Sequence, residues 1–229
     1  KQVSSKQEYS RNSAKSSSLP DLRKYPSGTP RKKAFLRTVM PYITSQNAAI
    51  TAERNWLISK QYQGQWSPAE RARLKDIAKR YKVKWSGNTR KIPWNTLLER
   101  VDIIPTSMVA TMAAAESGWG TSKLARNNNN LFGMKCMKGR CTNAPGKVKG
   151  YSQFSSVKES VSAYVTNLNT HPAYSSFRKS RAQLRKADQE VTATAMIHKL
   201  KGYSTKGKSY NNYLFAMYQD NQRLIAAHM

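Results

Sequence analysis

Residues 109–135 constrain the fold of this chain more than any other stretch, because an apolar helix pattern in them ends on a carboxylate. Val109 and Met112 follow the spacing of one helix face, and Glu116 falls on the same stripe. Gly118 lies two residues after Glu116 and can adopt the left-handed conformation that ends a helix. We therefore predict a buried helix whose last turn presents Glu116.

The position of Glu116 is open to two interpretations. Burial against apolar side chains and the negative end of a helix both disfavour the ionised carboxylate. A carboxyl group that stays protonated near neutral pH can act as a general acid. Alternatively, the carboxylate lies in water or pairs with one of the many basic residues, which is an ordinary structural role.

Two linked motifs in this stretch resemble the signature of the flagellar-type family of peptidoglycan-cleaving N-acetylglucosaminidases. The first reads Ala-x-x-Glu-Ser-Gly-Trp-Gly at residues 113–120, and the second reads Asn-Leu-Phe-Gly at residues 130–133, followed by the basic Lys135. The resemblance extends over residues 94–229. It implies an α+β, mostly helical lysozyme-like fold with a small β-lobe, and it gives Glu116 the role of catalytic acid.

The chain is strongly basic, with 40 Lys and Arg residues against 12 Asp and Glu residues and a net charge of +28. Such a surface attracts polyanions, whether nucleic acid, acidic lipid or an acidic cell-wall polymer. The basic residues are spread along the whole chain without a familiar nucleic-acid motif, so we predict no specific nucleic-acid partner. The resemblance implies binding to peptidoglycan glycan strands, and the charge predicts association with anionic surfaces; we expect a monomer.

The two cysteines, Cys136 and Cys141, flank a plausible turn and are spaced for a disulfide across the base of a hairpin. Free thiols are the alternative. A bridge would indicate an oxidising compartment, and we expect a periplasmic or otherwise exported protein. The three scattered histidines, His171, His198 and His228, do not form a metal site with these cysteines, and we predict no metal and no cofactor.

Composition and pattern divide the chain into three parts. Residues 1–30 are rich in Ser, Lys and Arg and are predicted to be a flexible basic segment. Residues 31–93 show helical patterns, one around Phe35 and a second around Trp56, and form a predicted helical N-terminal extension. Residues 94–229 form the predicted catalytic domain.

Capping and breaking residues predict the other elements. Ser67 with Glu70, and Ser156 with Glu159, have the spacing of capping boxes that open helices. Further helical runs are predicted near residues 94–101, 189–200 and 210–227. Short strands, separated by glycine and proline, are predicted at residues 134–137, 140–143 and 147–153.

The sequence does not determine which group acts in catalysis together with Glu116. Most glycosidases use two carboxylates, but Glu116 and Glu159 are the only acidic residues between Ile103 and Ala187. Glu159 is explained by its capping box, so the substrate's own acetamido group becomes the alternative nucleophile. Tyr203, in Gly-Tyr-Ser-Thr, resembles a tyrosine in the family's Gly-Tyr-Ala-Thr motif that lines the cleft. A tyrosine packed between two helices is the other interpretation.

Four residues are candidates for contact with the glycan. Trp119 and Tyr151 offer aromatic rings for stacking against sugars, and Asn130 offers an amide for hydroxyl or acetamido groups. Phe132 belongs to the second motif. The alternatives are structural: asparagines suit turns and caps, and phenylalanine is commonly buried.

The predicted function is cleavage of the β-1,4 bond on the reducing side of N-acetylglucosamine in peptidoglycan. A lytic transglycosylase is the nearest alternative, because the Glu-Ser-Gly motif recurs in that class. A non-catalytic basic wall-binding protein is the third, since no acidic residue lies between Cys136 and Phe154.

Overall fold

The computed structural model describes residues 19–136, 141, 144–200 and 207–229, over which the chain is mostly helical. The α-helices are α1 (Thr29–Lys60), α2 (Pro68–Arg80), α3 (Trp94–Arg100), α4 (Thr106–Ser117), α5 (Lys123–Asn128), α6 (Val157–Thr170), α7 (Ser175–Lys186), α8 (Ala193–Met196) and α9 (Lys208–Ala226). Short 3-10 helices lie at Leu22–Lys24, Pro172–Tyr174 and Ile197–Lys199. In this part of the chain, every helix is too short or too polar to cross a membrane.

The described residues group into two compact units. The first comprises the described parts of Lys1–Ile43, Ala110–Tyr164 and Asn221–Met229. The second comprises Thr44–Val109 and the described parts of Val165–Asp220. Each unit thus combines residues from the predicted N-terminal extension with residues from the predicted catalytic domain.

The N-terminal extension begins with one long helix, where the sequence predicts two. α1 continues from Thr29 to Lys60, with Pro41 inside it. Both apolar patterns belong to this helix, because no glycine occurs between Gly28 and Gly64 to interrupt the chain.

The segment before α1 is packed, although its composition predicts flexibility as far as residue 30. Leu22 is fully buried. Arg31 fixes the turn around it by donating from Nε to the Leu22 carbonyl at 3.0 Å and from Nη2 to the Tyr25 carbonyl at 3.1 Å. A buried leucine and charge-assisted hydrogen bonds therefore order a stretch whose overall composition is polar. Residues 1–18 lie outside the described part of the chain.

Both predicted capping boxes open helices, in two different forms. At α2 the Ser67 hydroxyl accepts from the Glu70 amide while the Glu70 carboxylate accepts from the Ser67 amide. At α6 the Ser156 hydroxyl accepts from the Glu159 amide at 3.1 Å. The Glu159 carboxylate, however, accepts from the amide and hydroxyl of Ser155, one residue earlier than in a standard capping box.

The described residues of the region predicted as a β-lobe show little regular strand pairing. Among its described residues it has two isolated antiparallel bridges, Lys135 with Tyr151 and Cys141 with Ser152, and no extended strand. Side-chain amides form hydrogen bonds that a neighbouring strand would otherwise make. Asn128 Nδ2 donates to the Val148 carbonyl at 3.1 Å, and Asn128 Oδ1 accepts from the Val148 amide at 2.8 Å. The small β-lobe is thus not seen in this part of the chain.

α7 was not predicted from the sequence, because arginines occupy its buried face. Phe177 is buried there, but so are Arg178 and Arg181, so the apolar periodicity of a buried helix is absent. Arg181 Nη1 donates to the Ile103 carbonyl at 3.0 Å and to Asn169 Oδ1 at 2.8 Å. Burial lowers the pKa of Arg181 to about 10, which leaves the side chain charged at neutral pH.

Asp102 is the buried carboxylate that balances this charge in the second unit. Arg185 binds both of its oxygens, from Nε to Oδ2 at 2.9 Å and from Nη2 to Oδ1 at 2.7 Å. Arg54 Nη1 lies 3.5 Å and Arg181 Nε lies 3.9 Å from Oδ2. Burial alone would raise the pKa of Asp102, but the Arg185 hydrogen bonds and the three guanidinium charges lower it below its usual value.

Candidate active site

The Glu116 motif forms the end of α4 and a left-handed turn after it. α4 ends at Ser117, whose buried hydroxyl donates to the Ala113 carbonyl at 2.6 Å and accepts from the Gly120 amide at 2.9 Å. Gly118, Trp119 and Gly120 have φ values of 54°, 56° and 80°, so the chain reverses through three left-handed residues in succession. Such a turn suits glycine and is held here by the serine.

The two sequence motifs meet at the Glu116 carboxylate. Glu116 is half-buried, in contrast to Met112 and Ala113 on the preceding turn, which are fully buried. A Cβ atom built on Gly133 would lie 3.3 Å from Glu116 Oε2. Gly133 closes the Asn-Leu-Phe-Gly motif, so the second motif leaves room for the carboxylate of the first.

Asn130 and Phe132 hold the second motif in place. Asn130 Nδ2 donates to the carbonyls of Met134 at 2.9 Å and Ser152 at 3.0 Å. Its Oδ1 accepts from the amides of Phe132 at 3.3 Å and Met134 at 3.1 Å. Phe132 is buried and stacks on the Tyr164 ring, with centroids 4.1 Å apart and planes at 7°. The Asn130 side chain is thus fully hydrogen-bonded within the protein and Phe132 is packed, and the contacts of these two residues with sugar remain predictions.

The neighbouring asparagines bind the protein backbone. Asn128 is fully buried, and Asn129 caps α5 in the left-handed conformation while its Nδ2 donates to the Phe154 carbonyl at 3.1 Å. Lys147 Nζ donates to the Asn127 carbonyl at 2.7 Å. The asparagine run therefore serves turns and capping, one of the two interpretations that its sequence allows.

The two aromatic candidates have different surroundings. Trp119 is half-buried, with its ring edge-on to Phe35 at 5.6 Å between centroids and with Lys32 Nζ 5.0 Å from its centroid. Tyr151 is half-buried and pairs with Lys135 through an isolated bridge. Neither arrangement tests whether the rings contact sugars, so both remain predictions.

Comparison with known proteins decides the family. The family model described as Glucosaminidase (mannosyl-glycoprotein endo-beta-N-acetylglucosaminidase) matches residues 93–223, more than half of the chain. The chain belongs to the glucosaminidase family. No solved structure matches it. Family membership indicates a glycoside hydrolase that acts on a glycan of the peptidoglycan type.

The remaining predicted site residues of this glucosaminidase are Tyr203 and the two cysteines. Tyr203 falls in 201–206, which the structure does not describe. Cys136 and Cys141 are joined by a disulfide bond. Within the described part of the chain, no three His, Cys, Asp or Glu residues are grouped so that they could hold a metal ion.

Sequence reasoning missed three residues that shape the site. Ser117 fixes the turn after Glu116. Gly133 leaves room for the Glu116 carboxylate. Tyr164 supports Phe132 by ring stacking. Ser117 and Gly133 lie inside the recognised motifs, so the motifs themselves were the available signal. Tyr164 carried only the signal of an apolar position on α6, and its hydroxyl contact with Met112 Sδ at 3.7 Å has no sequence signature.

We expect Gly133→Ala to reduce glycan cleavage about ten- to a hundredfold, because the new methyl group presses on the Glu116 carboxylate and small displacements of reacting groups are costly. Initial rates on purified peptidoglycan measure this. Gly146→Ala is the matched control, since Gly146 has a similar positive φ of 80° but no atom within 4 Å of the added Cβ. An equal loss of activity in both variants would show that backbone strain alone is responsible.

Proposed function

We propose that this glucosaminidase is a peptidoglycan hydrolase that cleaves the β-1,4 bond after N-acetylglucosamine, with Glu116 as general acid. The observation that carries the proposal is the approach of the second motif to Glu116 at Gly133, which brings the two parts of the family signature to one carboxylate. The half-buried position at the end of α4 suits a group that must reach substrate and still sit in a partly desolvated environment.

The proposed reaction needs one protein carboxyl group if the substrate assists. Glu116 gives its proton to the departing O4 of N-acetylmuramic acid as the C1–O4 bond breaks. The acetamido oxygen of N-acetylglucosamine bonds to C1 and forms an oxazolinium ion. Water then adds to C1, the bond from the acetamido oxygen to C1 breaks, and the proton of the water returns to Glu116. One water is consumed and the acid is restored.

The role of Glu159 in helix capping supports this route over a two-carboxylate mechanism. Its carboxylate accepts hydrogen bonds from Ser155, and its amide donates to Ser156. These contacts account for an acidic residue at the start of α6 without a catalytic role. Tyr203 is proposed as the hydroxyl that stabilises the acetamido group or the developing charge.

We expect Tyr203→Phe to lower the rate of cleavage by about a hundredfold or more, since it removes a hydrogen bond donor that acts on the transition state. Glu159→Gln should stay close to the wild-type rate, because glutamine can also serve in a capping box. Initial rates on purified peptidoglycan, with folding checked by circular dichroism, compare the two. An inactive Glu159→Gln beside a nearly normal Tyr203→Phe would instead support two carboxylates.

The proposal is tested by release of soluble fragments from a suspension of purified peptidoglycan. Clearing of the suspension with fragments in solution is expected for the enzyme. Binding to the insoluble wall without release would indicate the non-catalytic wall-binding alternative. A lytic transglycosylase would also clear the suspension, but its products would carry 1,6-anhydro ends, because the muramyl 6-hydroxyl attacks in place of water.

The proposed place of action is the periplasm or another exported location, consistent with the Cys136–Cys141 disulfide. The net charge of +28 would favour attraction to an anionic wall or membrane surface. We also propose that the whole chain, including its N-terminal helices, is similar to the enterobacterial protein called Bax. That protein is unrelated to the apoptosis factor of the same name.

A further inference from the structure

Residues 19–35 lie before the segment that matches the family, yet they pack directly on the turn that follows Glu116. The family match begins at residue 93. Leu22 and Phe35, both fully buried, are nevertheless among the nearest neighbours of Gly120. The catalytic motif is therefore supported by residues that the family match does not include.

Side chains of the N-terminal segment approach the backbone of Gly120 closely. A Cβ atom built on it would overlap Leu22 Cδ1 and would lie 3.1 Å from Phe35 Cδ2 and 3.5 Å from Leu19 Cδ2. Gly120 also has a φ of 80°, which glycine adopts without strain. The motif's last glycine thus serves both the left-handed turn and the packing of the N-terminal segment.

Trp119 is held by the same segment. Its ring meets Phe35 edge-on, and Lys32 Nζ lies over its face. Lys32 is itself fixed, because Nζ donates to Asn221 Oδ1 at 2.8 Å. Adjacent turn residues therefore have partners on the N-terminal segment, through an aromatic contact and a cation–π contact at Trp119 and through close packing at Gly120.

We propose that Leu22 and Phe35 are positioning residues for Glu116, an inference that rests on the proposed function. Ser117 provides the connection, since its hydroxyl binds the Gly120 amide on one side and the Ala113 carbonyl on the other. Loss of packing behind Gly120 loosens the turn at Ser117, the residue next to Glu116. The N-terminal segment acts in this way on the orientation of the acid without touching the substrate.

The test compares Leu22→Ala with Leu74→Ala, since both leucines are fully buried and lose the same atoms. Leu74 lies on α2 in the second unit. At a temperature where both variants are folded, Leu22→Ala should lower kcat about ten- to a hundredfold, because a looser turn misplaces the neighbouring Glu116 carboxylate. Leu74→Ala should keep the wild-type kcat. Leu22→Met conserves the side-chain volume and should therefore also have a kcat close to that of the wild-type protein.

Amide hydrogen exchange gives a readout that does not depend on activity. Leu22→Ala should speed exchange of the Trp119 and Gly120 amides, which bind the Ala114 carbonyl and the Ser117 hydroxyl, while Leu74→Ala should leave them protected. Equal protection in the two variants would overturn the positioning role even if the wild-type protein cleaved nothing. An equal kcat in the two folded variants would also overturn it. Absence of cleavage by the wild-type protein would instead refute the proposed function.

Discussion

Glu116→Gln should abolish cleavage of peptidoglycan while leaving the protein folded. The amide keeps the shape of the side chain, but it cannot donate a proton to the leaving oxygen, a contribution of about a hundredfold or more. Because Glu116 is half-buried at the helix end, the fold tolerates a neutral group of the same size at that place.

Glu190→Gln is the matched control for this substitution, because Glu190 is exposed and lies in neither motif. Initial rates for both variants and for the wild-type protein should be measured on the same peptidoglycan preparation, with thermal unfolding as the check on folding. Full activity in a well-folded Glu116→Gln protein would remove Glu116 from the mechanism.

Asp102→Asn should cause a large loss of stability in the second unit. Asp102 is buried among Arg54, Arg181 and Arg185, and Arg181 has no exposed surface. Removing one member of a buried ionic cluster leaves uncompensated charge, which typically costs about 3–5 kcal/mol of the free energy of unfolding. Chemical denaturation of the two proteins at neutral pH measures the difference.

Asp76→Asn provides the control, since Asp76 pairs with Arg80 at an exposed site and should change the free energy of unfolding by less than about 1 kcal/mol. The effect of Asp102 also has a pH dependence of defined sign. Its pKa is lowered in the folded protein, so its stabilisation is fully present above the unfolded pKa of about 3.9 and is lost as the pH falls through the lower folded value. A difference between Asp102→Asn and wild-type protein that persisted undiminished in strong acid would contradict the charge-based explanation.

The sequence was most informative where local rules and packing agree. The end of α4 at Ser117, with Glu116 in its last turn, and the start of α2 at Pro68 both follow from capping residues and glycine placement. The two motifs also identified the family before any geometry was known. Their contact at Gly133, however, depends on how residues 130–133 fold back, which no periodicity encodes.

Other features could not be predicted because polar side chains take places that sequence patterns assign to other groups. Arginines occupy a buried helix face that is expected to be apolar, and asparagine side chains form hydrogen bonds that are expected between strand backbones. Arg178 and Arg181 occupy the buried face of α7, so the helix lacked its apolar stripe. Asn128 and Asn130 bind backbone groups that strands would otherwise pair, so the described residues of the predicted strands pair only through isolated bridges. Leu22, a single leucine in a basic segment, gave no sign that it packs against Gly120.

Identification of the new chain end tests the central proposal most directly. Peptidoglycan digested by the wild-type protein should be reduced with borohydride and examined by mass spectrometry, with Glu116→Gln as the blank. We predict products that end in reduced N-acetylglucosamine, absent from the Glu116→Gln digest. Products that end in 1,6-anhydromuramic acid, or in reduced N-acetylmuramic acid, would contradict the assignment of hydrolysis after N-acetylglucosamine.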